Sequence, residues 1–258
     1  MDNQLAILLE DNHCLVVAKP APLLTQGPPV PTPAGPIPTL ESMVKDYLRQ
    51  RYHKPGKVYL GIPHRLDRPV SGVMVFARNT KAARRLAEQF QKHQVEKVYW
   101  ALVEGSLTPE EGVWEDWLRK IPEEARTEVV SPDCAAARFA RLRYRVVARM
   151  GETTLTEFQP ETGRMHQIRV QAATRSHPVR GDVLYGAALP FGPDAPLPRD
   201  RVIALHSRSL TFLHPIRYEP VTLVAPLPST WQPYLSLSQL SAASETAFAL
   251  PQADPITR

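Results

Sequence analysis

The apolar residues of this chain come mostly in runs of strand length, and that limits the architecture more than any other feature. LAILLEDNHCLVVAKP holds two short runs around a polar Asp11-Asn12 turn and stops at Pro20. GVMVFAR, KVYWALVEG and VIALHSRSLTFLHP each read as a strand. RFARLRYRVVAR alternates, with Leu142, Tyr144, Val146 and Ala148 on one face and Arg141, Arg143, Arg145 and Val147 on the other. Helical spacing appears in LESMVKDYLRQR, where Leu40, Met43, Val44, Tyr47 and Leu48 recur behind a Thr39 cap. It appears again in NTKAARRLAEQFQKH, capped by Asn79 or Thr80, with Ala83, Leu86, Ala87 and Phe90 as the inner stripe. A third helical stretch follows the Thr162-Gly163 turn in ETGRMHQIRVQAATRS. Strands and helices mix without regular βαβ alternation, so the pattern predicts an α+β fold rather than a doubly wound one.

Eight prolines fall within residues 20–38, which forces an extended loop there, because proline removes a donor and fixes the backbone. The segment is short enough to be a surface excursion within one domain over residues 1–232. Residues 233–258 turn to Ser, Ala, Gln and Pro and read as a loose tail. No run reaches the roughly 18 apolar residues of a membrane span, and the acidic start MDNQLAILLEDN is unlike a signal peptide. Cys14 and Cys134 stand alone without a CxxC pair, which argues against a disulfide framework or thiolate metal site and suits a reducing cytoplasm. A net charge of +5 raises the odds of an anionic partner such as nucleic acid. The arginine ladder at 141, 143 and 145 is open to two readings: a track for phosphates or a solvated outer face.

Chemistry concentrates in HRLDRPVSG, residues 64–72, where Asp67 lies between Arg65 and Arg68. Neighbouring guanidinium groups favour an ionised carboxylate, which can serve as nucleophile, base or stabiliser of a cationic sugar. A structural ion pair is the plainer reading of the same residues. Glycoside hydrolysis would want a second acid, for which Glu157 and Glu161 are candidates. His64, His166, His206 and His214 follow no HxxxH or HExxH spacing and are read as hydrogen-bonded structural histidines, so no metal is expected. Ser71 lacks a GxSxG elbow.

HRLDRPVSG resembles the HRLD-x-x-[T or S]-SG signature of the RluA-type pseudouridine synthases. Four further blocks stand in the family's order: ILLEDNHCLVVAKPAPLL, KVYWALVEG, ETGRMHQIRVQAATRSHPVRGDVLYG and ALHSRSLTFLHP. Together they run from about residue 5 to 231. Val70 stands where many members carry threonine, and Pro22 where glycine is common. The chain starts within the catalytic region, so no S4-type RNA-binding domain is expected ahead of it.

The resemblance implies an RNA pseudouridine synthase with a mixed, largely antiparallel sheet, flanking helices and a cleft across the sheet's middle. Asp67 would be the catalytic aspartate, Tyr99 the active-site tyrosine, and Arg169 the partner that holds Asp67 ionised. Arg65 would enter the RNA stack where uridine is flipped out. Arg68, Arg164 and His64 join Arg65 in the expected RNA-contacting set. No cofactor, nucleotide or metal is expected, since the isomerisation has no redox change. The expected partner is a ribosomal or transfer RNA stem-loop, met by a cytoplasmic monomer. Two rival readings stay open: a non-catalytic RNA-binding module on the same scaffold, and an Asp67-dependent glycosidase.

Overall fold

A computed structural model describes residues 5–27 and 37–235. Residues 28–36 of the proline-rich segment and the predicted tail from residue 236 therefore lie outside the described residues. Within them, ten strands form one sheet: β1 (Ala6–Glu10), β2 (Cys14–Lys19), β3 (Ser71–Ala77), β4 (Glu96–Glu104), β5 (Glu111–Lys120), β6 (Thr127–Val130), β7 (Arg138–Met150), β8 (Thr153–Pro160), β9 (Leu205–Leu213) and β10 (Pro220–Val224). Three α-helices accompany them: α1 (Leu40–Arg51), α2 (Thr80–Gln91) and α3 (Gln167–Ala173). The strand order is β1-β2-β3-β9-β4-β8-β7-β5-β6, with β10 on β9. Neighbours pair antiparallel except β3 with β9. This is the α+β, largely antiparallel architecture that the sequence predicts.

The strand β3 is buried along its whole length because α1 and α2 cover its two faces. Leu15, Val17, Met74 and Phe76 join Leu40, Val44 and Leu48 of α1 in one core. The alternate residues Cys14, Val16, Val73 and Val75 join Ala82 and Leu86 of α2 in another. The two-residue period of β2 and β3 thus serves both helices, which explains why those strands read as continuous apolar runs. Thr39 caps α1 through a reciprocal capping box with Ser42, and Asn79 caps α2 by accepting the Ala82 N–H.

β3 meets β9 over two residue pairs, Ser71↔His206 and Gly72↔Ser207. Gly72 sits at φ +124, and a Cβ there would lie 2.2 Å from the Ser207 carbonyl oxygen. Only glycine permits that approach. The final residue of HRLDRPVSG is therefore the joint between the two halves of the sheet.

The structure departs from the sequence reading in several places. On α2, Ala87 is exposed and Gln89 is buried instead. The Gln89 amide accepts the Leu213 N–H at 2.8 Å and donates to the Leu213 carbonyl at 2.9 Å, so a polar residue completes a core-facing position. Of the two readings left open for the arginine ladder of β7, the ion-paired face is the one observed: Arg141 meets Glu115 and Glu161, Arg143 meets Glu161, and Arg145 meets the buried Glu157. Acids opposite each guanidinium leave little net positive charge to track phosphates. Near the end of the described chain, Trp231 and Leu235 are buried and Tyr234 packs on the core, so ordered packing runs past residue 232.

Candidate active site

The HRLDRPVSG loop is held so that its residues alternate between anchor and display. The His64 Nε2 accepts the Val75 N–H at 3.1 Å and its ring stacks on Phe90 at 4.5 Å. Burial, followed by the charge of Lys97, pushes the His64 imidazole down to about 3, so it is neutral. Leu66 and Val70 are buried in the core, and the Leu66 backbone pairs with the Thr25 hydroxyl. Beneath the loop, the buried Lys19 ammonium donates to the carbonyls of Pro20, Leu23 and Arg68 at 3.0, 2.6 and 3.3 Å. This ties the segment from Pro20 to Leu23 to the HRLDRPVSG loop. The side chains left facing outward are Arg65, which is exposed, and Asp67, which is 31% exposed.

Arg169 approaches Asp67 from α3. Its guanidinium is 5% exposed and forks onto Asp182, with Nε donating to Oδ2 at 2.6 Å and Nη2 to Oδ1 at 2.8 Å. The remaining Nη1 donates to Asp67 Oδ2 at 3.3 Å. Burial works against the charge of Arg169, but Asp182 and then Asp67 more than offset it and hold the guanidinium above its ordinary value. Among the described residues nothing bonds Asp67 Oδ1, so one carboxylate oxygen is fixed and the other is presented.

Tyr99 comes from β4, the central strand, opposite Ser207 in the register. Burial, with Asp67 nearby, raises its phenol to about 12 even though the Ser207 hydroxyl favours the anion. The ring is thus a neutral phenol beside the carboxylate at physiological pH. Loop, central strand and helix converge on the middle of the sheet.

The expected RNA-contacting residues are not equally available. Arg65 is exposed and makes no ion pair or hydrogen bond among the described residues. Arg68 pairs with Asp200 at 2.9 Å, and the Arg164 Nε donates to the Phe139 carbonyl at 2.8 Å. His64 has its ring committed to Phe90 and Val75, which gives it an anchoring job in place of a phosphate contact. The possible second acids also sit elsewhere. Glu157 is buried, accepting from Trp100 at 3.1 Å and Arg145 at 3.2 Å, and Glu161 is shared by Arg141 and Arg143. Asp182 lies near Asp67 but is locked on Arg169. Asp11, Cys14 and His214 cluster with their ligand atoms within 4.8 Å, yet they are already spent. The Asp11 Oδ1 accepts two backbone N–H groups, and His214 Nε2 pairs with Asp11 Oδ2. His214 Nδ1 accepts the Ile216 and Arg217 N–H groups, and burial pushes the Cys14 thiol up to about 12.

Residues 13–174 match the model of the RNA pseudouridylate synthase family. This chain belongs to the RNA pseudouridine synthases. Over 96% of its length it is 37% identical to the ribosomal large subunit pseudouridine synthase D of Xylella fastidiosa, covering 72% of that protein. It is 33% identical to the dual-specificity RNA pseudouridine synthase RluA of Vibrio vulnificus, over 81% of this chain and 78% of the other. The solved structure of human RNA pseudouridylate synthase domain containing 4 superposes with a TM-score of 0.70 at 23% identity, covering 93% of both chains, and shows the shared fold. The protein is accordingly an isomerase that converts uridine in RNA to pseudouridine.

Three residues of this synthase's site escaped the sequence reading. Asp182 is buried at 1% exposure as the counter-charge of Arg169. The GD step of HPVRGDVLYG placed it within a matching block, but no local spacing links it to Arg169. Tyr185 lies under the Arg169 guanidinium at 5.1 Å, and its hydroxyl accepts the Thr127 N–H at 2.9 Å. His166, read as a satisfied structural histidine, faces Asp67 with Nε2 3.5 Å from Oδ2. Its left-handed backbone at φ 54 is the feature that turns it there, and sequence periodicity does not reveal such a conformation.

Proposed function

We propose that Asp67 is the catalytic residue of this synthase, acting on a uridine flipped from a stem-loop of ribosomal or transfer RNA, and that the protein works as a cytoplasmic monomer. The observation that carries the catalytic assignment is the split role of the Asp67 carboxylate: Oδ2 tied to the buried Arg169–Asp182 pair, Oδ1 open. The reaction breaks the bond from uracil N1 to ribose C1′, turns the base, and makes the bond from C5 to C1′. The hydrogen of C5 leaves as a proton while N1 gains one, so atoms and electrons balance without a redox step. An ionised, oriented carboxylate at the reacting nucleotide meets that need. The neutral phenol of Tyr99 supplies a stacking face and a polar tip for the displaced base. The exposed Arg65, next to Asp67, is placed to fill the space that the flipped nucleotide leaves.

A binding module gains nothing from this arrangement, because a carboxylate turned toward a polyanion repels it. A glycosidase lacks its second acid here, since Glu157 and Glu161 are bound elsewhere and Asp182 is held by Arg169. The unpaired thiols of Cys14 and Cys134 suit a reducing compartment. The substrate is tested by mapping pseudouridines in total RNA from cells with the gene, without it, and complemented by Asp67→Ala. The expected map loses discrete sites in ribosomal or transfer RNA, restored by the wild type alone. An unchanged map, or restoration by Asp67→Ala, would contradict the proposal.

A further inference from the structure

His166 stands at the N-cap of α3 without capping it, in the left-handed region at φ 54 and ψ 23. Non-glycine residues held there carry a conformational cost, and such strain persists where the surrounding structure demands it. Here the consequence is the direction of the imidazole. Its Nδ1 lies 2.9 Å from the Tyr185 hydroxyl, the two rings meet edge to face at 5.7 Å, and Nε2 points to Asp67 Oδ2 at 3.5 Å.

The hydrogen bonds at Tyr185 bear on which nitrogen of His166 carries the proton. The phenolic oxygen accepts the Thr127 N–H at 2.9 Å. Its one proton has two acceptors: His166 Nδ1 at 2.9 Å and the Thr127 carbonyl at 3.3 Å. Placing that proton on the shorter contact makes Nδ1 the acceptor, and the neutral ring then carries its proton on Nε2, facing the carboxylate, the tautomer taken below. Burial keeps the ring on the neutral side, although Asp67 pulls the other way. The 3.5 Å separation is longer than a formed hydrogen bond, as catalytic contacts often are before substrate closes the site.

We infer that His166 is a positioning residue for the reaction: its Nε2–H is a second donor to Asp67 Oδ2, and Tyr185 sets the tautomer that makes it one. With Arg169 on the same oxygen, the two donors fix the plane of the carboxylate and leave Oδ1 for the substrate. Because the Tyr185 hydroxyl also binds the backbone of Thr127, the first residue of β6, the β5–β6 hairpin bears on the orientation of Asp67. This inference rests on the proposed catalytic role of Asp67.

Two substitutions separate positioning from mere structure, because they rank oppositely. Asparagine tolerates left-handed backbone better than glutamine, so a structural role favours His166→Asn over His166→Gln. The glutamine amide nitrogen reaches the point occupied by Nε2, whereas the asparagine amide stops at the position of Nδ1, so a positioning role favours His166→Gln. The expected result, from single-turnover kinetics on a pseudouridine substrate RNA, is a loss of about tenfold or more in rate for His166→Asn. His166→Gln should stay within about threefold of the wild type under the same relation, with KM for RNA unchanged in both. Tyr185→Phe should slow the reaction, and adding it to His166→Asn should cost nothing more, since the two act through one contact. A wild-type rate for His166→Asn, a greater loss for Gln than for Asn, or multiplicative losses in the double variant would overturn the inference. Asp67→Ala is run beside them: if it is inactive the inference stands or falls on the histidine variants alone, whereas an active Asp67→Ala would overturn the catalytic assignment itself.

Discussion

Arg169 shares one guanidinium between two carboxylates, and the division explains both. The fork onto Asp182 neutralises a charge that burial alone would make costly, and the third donor is left to aim Asp67. Lysine has no planar fork, so Arg169→Lys should leave Asp182 or Asp67 short of its donor. We expect pseudouridylation by Arg169→Lys to fall by about a hundredfold or more with RNA affinity little changed, read from single-turnover rates against filter binding. Asp182→Asn removes the counter-charge of a buried arginine. It should cost about 3 kcal/mol in urea unfolding. At this scale the sequence was legible where a motif carried the residue: Asp67, Tyr99 and Arg169 all lie in blocks that resemble the family's. Asp182, Tyr185 and His166 owe their roles to contacts such as Arg169–Asp182 across 13 residues and Thr127–Tyr185 across 58, or to backbone handedness, which no periodicity encodes.

The elements that were easiest to anticipate are those covered on both faces or capped by a single residue, such as β3, α1 and α2. Harder were β5, β6, β8 and β10, over which the sequence reading placed no strand. β8 is TTLTEFQP, buried almost throughout, yet with threonines and Glu157 where apolar residues are expected. Its glutamate is tolerated because Trp100 and Arg145 pair with it, a satisfaction supplied by neighbouring strands. The joint between β3 and β9 gives the sharpest prediction at this scale. Gly72→Ala would place a methyl group 2.2 Å from the Ser207 carbonyl in a backbone region alanine avoids. We expect a loss of about 3 kcal/mol or more in urea unfolding and a displaced Asp67 loop, while alanine at the unobstructed Gly163 should cost far less. Equal stability of the two variants would show that the strands are not held at that distance.

For the whole molecule, buried neutral histidines couple the fold to pH. His206, 1% exposed, accepts or shares a proton with the Ser71 hydroxyl at 2.8 Å, and burial lowers its pKa to about 4. Unfolding returns it to an ordinary value near 6.5, so between those values the unfolded chain binds the extra proton. Stability is therefore complete above about pH 6.5 and lost as pH falls toward 4, by on the order of 3 kcal/mol from this residue. His206→Asn, which can still meet Ser71, should flatten the difference between urea unfolding at pH 7 and pH 4.5. An unaltered slope would mean that His206 is charged in the fold. Among the described residues no helix is long and apolar enough to cross a membrane, and the modest excess of +5 is offset on the β7 face by its acids. The central claim, that the open oxygen of Asp67 carries the reaction, is tested most directly by tritium release from RNA labelled at C5 of uridine. Wild-type protein should release tritium as C5 bonds to the ribose, and folded Asp67→Ala should bind the RNA and release none. Release by purified Asp67→Ala above a protein-free blank would contradict the account.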